Sequence, residues 1–207
     1  MPTTSPAGDG PRPYHHGDLR RVLLDTAVEA LQETGPAALS LRDLARRAGV
    51  SHAAPAYHFG DKAGLLTAVA ADGFRRLAAV LRDTYQATGS FLEVGAAYVR
   101  FAVSHRPHFE VMFRPELYRP DDPELASARE AARSMLYPPA ADTAGVAGGT
   151  DDLRAAVAAW SLVHGLATLW LDGNLPPQLG DDPAQLTREV ARHLFTDQPH
   201  HDVPDHR

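Results

Sequence analysis

Eleven histidines, a single lysine at position 62 and no cysteine are the chemically distinctive side chains of this 207-residue chain. Without a thiol there is no disulfide scaffold, thiolate zinc site, redox pair or cysteine nucleophile, so a metal site would need histidine and carboxylate ligands. The close histidine sets are His105 with His108, and His200, His201 and His206 near the C-terminus. Pro107 breaks the helix between the first pair, and ligation wants three or four converging groups, so neither a metal nor a cofactor is expected. The sequence contains no GxSxG, no HExxH and no phosphate loop, and the acidic pairs Asp121-Asp122 and Asp181-Asp182 stand where helix caps are needed. The chain is therefore expected not to be an enzyme, and a helical-bundle enzyme is kept only as the alternative from another class.

Two constellations suit binding instead. Gly49-Val50-Ser51 separates two short helices bearing the apolar residues Leu44, Ala45 and Phe59, which are the dimensions of a helix-turn-helix. Glycine allows the left-handed turn, Val50 plugs the pair from beneath, and Ser51 caps the second helix. An ordinary helical corner fits the same pattern. Further along, Tyr98, Phe101 and His105 share a helix face, Phe109, Met112 and Phe113 follow, and Trp160 and His164 share the face of a later helix. Such a set is either core or the lining of a ligand pocket. Polarity favours the pocket, because Tyr98, His105, Trp160 and His164 would each need a hydrogen-bond partner in a solid core.

The elements that position these residues are helical throughout. Leu19, Val22, Leu23, Ala27, Ala30 and Leu31 form one stripe of a first helix that ends before Gly35-Pro36. Ser40 with Asp43 opens a second helix as a capping box, and a third runs from Ser51 through Phe59. The fourth is long, with Leu66, Val69, Ala70, Phe74, Leu77 and Leu81 facing a core to about Gly89. Ser90 with Glu93 opens a fifth that runs to Pro107, a short helix follows around Phe109 to Phe113, and residues 124–137 are helical by propensity. Small residues from Pro138 read as a linker. Residues 152–171 are apolar nearly all round, so this helix needs partners on both faces, one of them another subunit. Asp182-Pro183 starts the last helix, through Phe195.

Charge divides the chain. Residues 1–80 hold 9 Lys/Arg against 8 Asp/Glu, a net of +1, whereas residues 81–207 hold 11 against 18, a net of −7. The first part can meet a polyanion that the second would repel. The N-terminus lacks a signal pattern, and the longest uncharged stretch, 155–171, is 17 residues with Ser161, His164, Gly165 and Thr168 inside it. A soluble cytoplasmic protein without a membrane partner is expected.

The run LSLRDLARRAGVSHAAPAYHFGDKAGLL, residues 39–66, resembles the DNA-binding domain of the tetracycline-repressor (TetR) family in its GVS turn, its His-Phe pair and its Lys-x-x-Leu. Residues 14–20 are similar to the entry to the first helix in many members. Residues 106–113, with Trp160, His164 and Gly165, resemble a C-terminal subgroup carrying a Trp-His-Gly signature. The resemblance implies an all-α homodimer: a three-helix DNA-binding domain at 14–62 with a helix-turn-helix, then a larger helical ligand-binding and dimerisation domain at 63–195, between a disordered tail at 1–13 and another tail at 196–207. It implies a recognition helix from His52 to Phe59, with Ser51, His52, Ala53, Ala54, Tyr57 and His58 at the DNA. Lys62 would clamp a backbone phosphate, Ser40 and Arg42 would meet flanking phosphates, and Arg12 and Tyr14 would belong to an arm. The sequence departs from the common pattern in carrying Ala56 where most members have tyrosine. Tyr57 follows one position later, about 100° further around the helix. The implied function is transcriptional regulation, as a repressor released from a pseudo-palindromic operator by a small-molecule effector of unknown identity; regulation through a protein partner is the alternative.

Overall fold

Apolar residues at helical spacing, ended by Ser, Asp, Gly and Pro, fold as helices over residues 16–137 and 150–196, which the computed structural model describes. Arg12, Tyr14, the N-terminal tail, the linker from Pro138 and the tail histidines His200, His201 and His206 fall outside those residues. Among the described residues there is no strand, and no helix is long and apolar enough to cross a membrane. The chain divides into two compact units between Lys62 and Ala63.

The first unit packs three helices pairwise, α1 (His16–Ala38), α2 (Leu41–Arg47) and α3 (Ala54–Phe59). Gly35 breaks α1 with φ 70°, ψ 174°, and Pro36 begins a last short turn. The buried stripe of α1 is Leu23, Leu24, Ala27, Ala30 and Leu31; Val22 of the expected stripe is 41% exposed and Leu24 takes its place. Ser40 Oγ accepts from Asp43 N at 3.1 Å, but Asp43 does not complete the box. Its carboxylate binds Arg46 and, at 2.6 Å, Arg47 Nε, while Arg47 Nη1 reaches Glu33 of α1, also at 2.6 Å. The guanidinium fork thus fixes α2 on α1.

The second unit contains α4 (Lys62–Thr88), α5 (Phe91–Ser104), α6 (Arg106–Met112), α7 (Pro123–Leu136), α8 (Thr150–Leu171) and α9 (Pro183–Thr196). The six predicted core residues of α4 are all buried. Pro107 sits in the first turn of α6, where its missing N–H costs nothing, rather than at the end of α5. Asp122 and Asp182 cap α7 and α9 through Leu125 N at 3.0 Å and Ala184 N at 2.8 Å. Helix α5 is the centre: it packs on both α8 and α9 and buries Val94, Ala96, Ala97, Tyr98, Val99, Phe101 and Ala102. Glu93 again forgoes the capping box, accepting both Arg188 Nε and Nη2 of α9 at 2.9 and 2.8 Å. Helix α8, expected to be covered on both faces, buries among its described side chains Val163, Leu166 and Ala167 and leaves Leu153, Val157 and Leu169 exposed.

Asp72 of α4, which the sequence pattern passes over, is buried beside His108. Its Oδ2 accepts from Arg76 Nε at 2.5 Å and lies 3.3 Å from His108 Nε2, and Gly73 beside it lets Met112 approach to where a Cβ would stand 2.6 Å from the sulfur. Burial alone would raise the Asp72 carboxyl, but hydrogen bonds from His108 and Arg76 hold it far below the carboxylate range. A folded value below the unfolded one, near 3.9, contributes stability present above about pH 4 and lost as pH falls further. Asp72→Asn is expected to unfold on the order of 2 kcal/mol more easily than wild type at pH 7. In urea titrations the gap should shrink below about pH 4.

Candidate functional site

In the first unit the turn is built as its sequence implies. Gly49 takes φ 66°, and Val50 N returns to Ala45 O at 3.0 Å. Leu44, Ala45, Pro55 and Phe59 are buried and Val50 half-buried, and Arg20 of α1 stacks over the Phe59 ring at 5.4 Å. The third helix is shorter than expected. It begins at Ala54 with Ala53 as its cap residue, and Ser51 supplies not a side-chain cap but its carbonyl, which accepts from Ala54 N at 3.0 Å. Pro55 in the first turn has no N–H to cap, which removes one reason for a serine cap.

With Pro55 and Phe59 turned inward, His52, Ala53, Ala56 and Tyr57 lie outward, Tyr57 at 79% exposure with its ring edge-on to His58. Ala54 and His58 are half-buried at the flanks. Arg42, at the start of α2, is exposed and makes no ion pair among the described residues, whereas Arg46 and Arg47 are engaged by Asp43. Ser40 Oγ accepts the cap bond, which leaves its O–H free to donate. Lys62 Nζ donates to Ala37 O at 2.8 Å, tying the start of α4 to the segment before α2, with two further N–H groups unspent by that bond.

In the second unit five of the eight aromatic, methionine and histidine candidates meet. Trp160 Nε1 donates to Tyr98 Oη at 3.4 Å, and Tyr98 Oη lies 2.8 Å from His164 Nδ1. Indole only donates, so the phenol proton goes to His164, which holds its own proton on Nε2. Burial pushes the Tyr98 phenol up and the His164 imidazole down, so both stay neutral. Phe109 and Phe113 flank His164, at ring separations of 5.4 and 4.6 Å. Phe101 and Met112 are core, and His105 ends α5, stacked on Phe101 with Nδ1 on Ser104 Oγ at 2.9 Å. The polar groups invoked for a pocket therefore satisfy one another. His105 and His108 lie 6.0 Å apart, and no three His, Asp or Glu side chains form a metal-ligand set among the described residues. Tyr98→Phe is expected to cost about 1–3 kcal/mol in chemical denaturation, because Trp160 and His164 both lose a buried partner.

A separate cavity of about 350 Å³ lies between α5, the end of α7, α8 and α9. Trp160 is the one candidate that lines it, beside Val94, Leu136, Val163, Thr187 and Arg192. The residues from α7 and α9 had no signal in the sequence: leucine, alanine and threonine at helical spacing are indistinguishable from core until helices leave a gap.

Comparison with known proteins bears on both units. Residues 23–69 match a family model described as bacterial regulatory proteins of the tetR family, and residues 91–194 match a tetracyclin repressor-like C-terminal domain, which alone takes in half of the chain. The HTH-type transcriptional repressor Rv3405c of Mycobacterium tuberculosis is 40% identical over 68 residues, covering 32% of this chain and 36% of that protein, so the match spans about a third of the relative. A protein of unknown function from Rhodococcus sp. RHA1 has a solved structure 36% identical, with a TM-score of 0.73 over 90% of this chain and 98% of that one. PfmR of Thermus thermophilus, described as a TetR family transcriptional regulator, shares the fold at 21% identity, with a TM-score of 0.60 over 86% of this chain and 98% of PfmR. The two family matches follow one another along the chain in the order of its two compact units, and the chain belongs to the tetracycline-repressor family of bacterial regulatory proteins.

Proposed function

We propose that the chain is a DNA-binding transcriptional regulator, a repressor that leaves its operator when a small molecule occupies the second unit. The observation that carries this is the outward face of the turn and third helix: His52, Ala53, Ala56 and Tyr57 exposed together, flanked by the cations Arg42 and Lys62 and the hydroxyl of Ser40. Exposed alanines suit thymine methyl groups, His52 and Tyr57 suit base edges or phosphates, and the two cations suit the backbone. Ser51, Ala54 and His58 border the same face.

A repressor of this kind acts as a pair. The apolar residues left exposed on α8, with open space around Gly165, support a C2 homodimer built on that helix. Helix α9 exposes Gln185, Glu189 and His193, so any share it takes in that interface is polar. Two copies would read a pseudo-palindrome.

Selection of binding sequences from a random duplex pool tests the function, and recovery of no preferred sequence would overturn it. On the selected duplex, Arg42→Ala and Lys62→Ala should each weaken binding and reduce the slope of log K against log salt by about one. A Lys62 that acts only through Ala37 would lower affinity with the slope unchanged. Wild type is expected to sediment as a dimer at micromolar concentration, and Leu169→Glu to shift it toward monomer.

A further inference from the structure

A regulator that reads DNA with α3, the reading on which this inference rests, has to select bases with the side chains that the turn and helix expose. Between Ser51 and Gly60 there is no arginine, lysine, asparagine or glutamine. Those are the residues whose paired groups match the edges of guanine and adenine, so the strongest direct hydrogen-bond readout is missing from this element. Ala53, Ala56 and Tyr57 stand at i, i+3 and i+4, which puts them on one face. All three are exposed, whereas Pro55 and Phe59 are buried behind them. Tyr57 N donates to Ala53 O at 2.9 Å, so Ala53 is in helical register with that face although it precedes the first helical residue. Tyr57 leans on His58 in an edge contact at 5.2 Å, and the alanines stay uncovered. The centre of the face is two methyl groups.

A methyl carries no donor or acceptor and would strip water from a polar base edge without replacing it, so it pairs favourably only with an apolar group. The apolar group that bases present in the major groove is the C5-methyl of a pyrimidine. Thymine bears it in unmodified DNA, and 5-methylcytosine bears it at the same ring position. We propose that Ala53 and Ala56 select the C5-methyl itself, whichever pyrimidine carries it, so that affinity for a site responds to cytosine methylation. Charge takes no part in this choice. Under the proposed function Arg42 and Lys62 meet phosphates, whose number sets the salt slope, and the methyl contribution is the same at every salt concentration.

The test takes the full chain and the duplex selected from the random pool. Two matched pairs are compared at each pyrimidine of a half-site, thymine with uracil and 5-methylcytosine with cytosine, the members of a pair differing by one methyl. At one or more steps the methylated base should bind about fourfold more tightly in both pairs, the effect of burying one methyl, with the slope of log K against log salt unchanged. Ala53→Gly and Ala56→Gly remove the protein's methyl, and each should bring the ratio at its own step to about one. Glycine is tolerated at the cap position of residue 53. A ratio taken on one preparation also does not depend on how much of an Ala56→Gly sample is folded. Equal affinity within every pair, a preference for thymine over uracil without one for 5-methylcytosine over cytosine, or preferences that persist in both glycine variants would each overturn the proposal. Those outcomes leave the regulator standing, because the duplex is still selected. A pool that yields no preferred sequence removes both.

Discussion

The hydroxyl of Tyr98 is the constraint on which the second unit turns. It is fully buried at the middle of the central helix, so it must find its partners inside the protein or cost the fold the desolvation of an unpaired polar group. Both partners come from α8, where Trp160 and His164 are spaced i, i+4 on one face. That demand fixes the rotation of α8 about its own axis. Once Trp160 and His164 point at α5, Val163, Leu166 and Ala167 follow into the core and the opposite side, with Val157 and Leu169, faces outward. Gly95 permits the approach, since a Cβ there would stand 3.2 Å from Val163.

In the first unit the same logic operates with charge. Asp43 gathers Arg46 and Arg47 within α2, and Glu33 takes the far nitrogen of Arg47, so Arg47 holds α2 to α1. Arg42 and Lys62 hold no carboxylate among the described residues. A near-neutral segment can therefore offer local positive charge to a polyanion, because Asp25, Glu33 and Asp43 are held by particular arginines.

What was legible in the sequence follows from what periodicity can encode. The break at Gly35, the turn at Gly49 and the caps at Asp122 and Asp182 depend on residues within a few positions of each other, and all are where the pattern puts them, whereas the third helix starts at Ala54 and not Ser51 and the short helix at Arg106 and not Phe109. Ser51 as a side-chain cap failed because Pro55 and the carbonyl of Ser51 shape that entry instead. The capping boxes at Asp43 and Glu93 failed in their second half because distant arginines offered those carboxylates a charged partner, stronger than a backbone N–H. The convergence of Tyr98, Trp160 and His164 could be guessed from polarity, but not its outcome: three groups that each need a partner can satisfy one another as well as a ligand. Asp72 with His108, thirty-six positions apart, and the cavity wall from α7 and α9 are products of tertiary packing and leave no local mark.

Helix α8 is where these constraints meet. One side is bound through Trp160 to the Tyr98 hydroxyl, the same indole lines the cavity, and the opposite side is the apolar surface on which the proposed dimer is built. Under the proposed function, a ligand in the cavity and a second copy of the chain would act on the same helix. A ligand that favours one setting of α8 by tenfold shifts the balance of settings by about 1.4 kcal/mol, and one indifferent to the setting shifts nothing however tightly it binds. The Trp160 to Tyr98 contact, at 3.4 Å, is the longer of the two bonds to that hydroxyl, and Trp160 is the partner that lines the cavity. The His164 bond, at 2.8 Å, lies away from the cavity lining. Of the two side chains one turn apart that hold the Tyr98 hydroxyl, one therefore borders the cavity and the other does not.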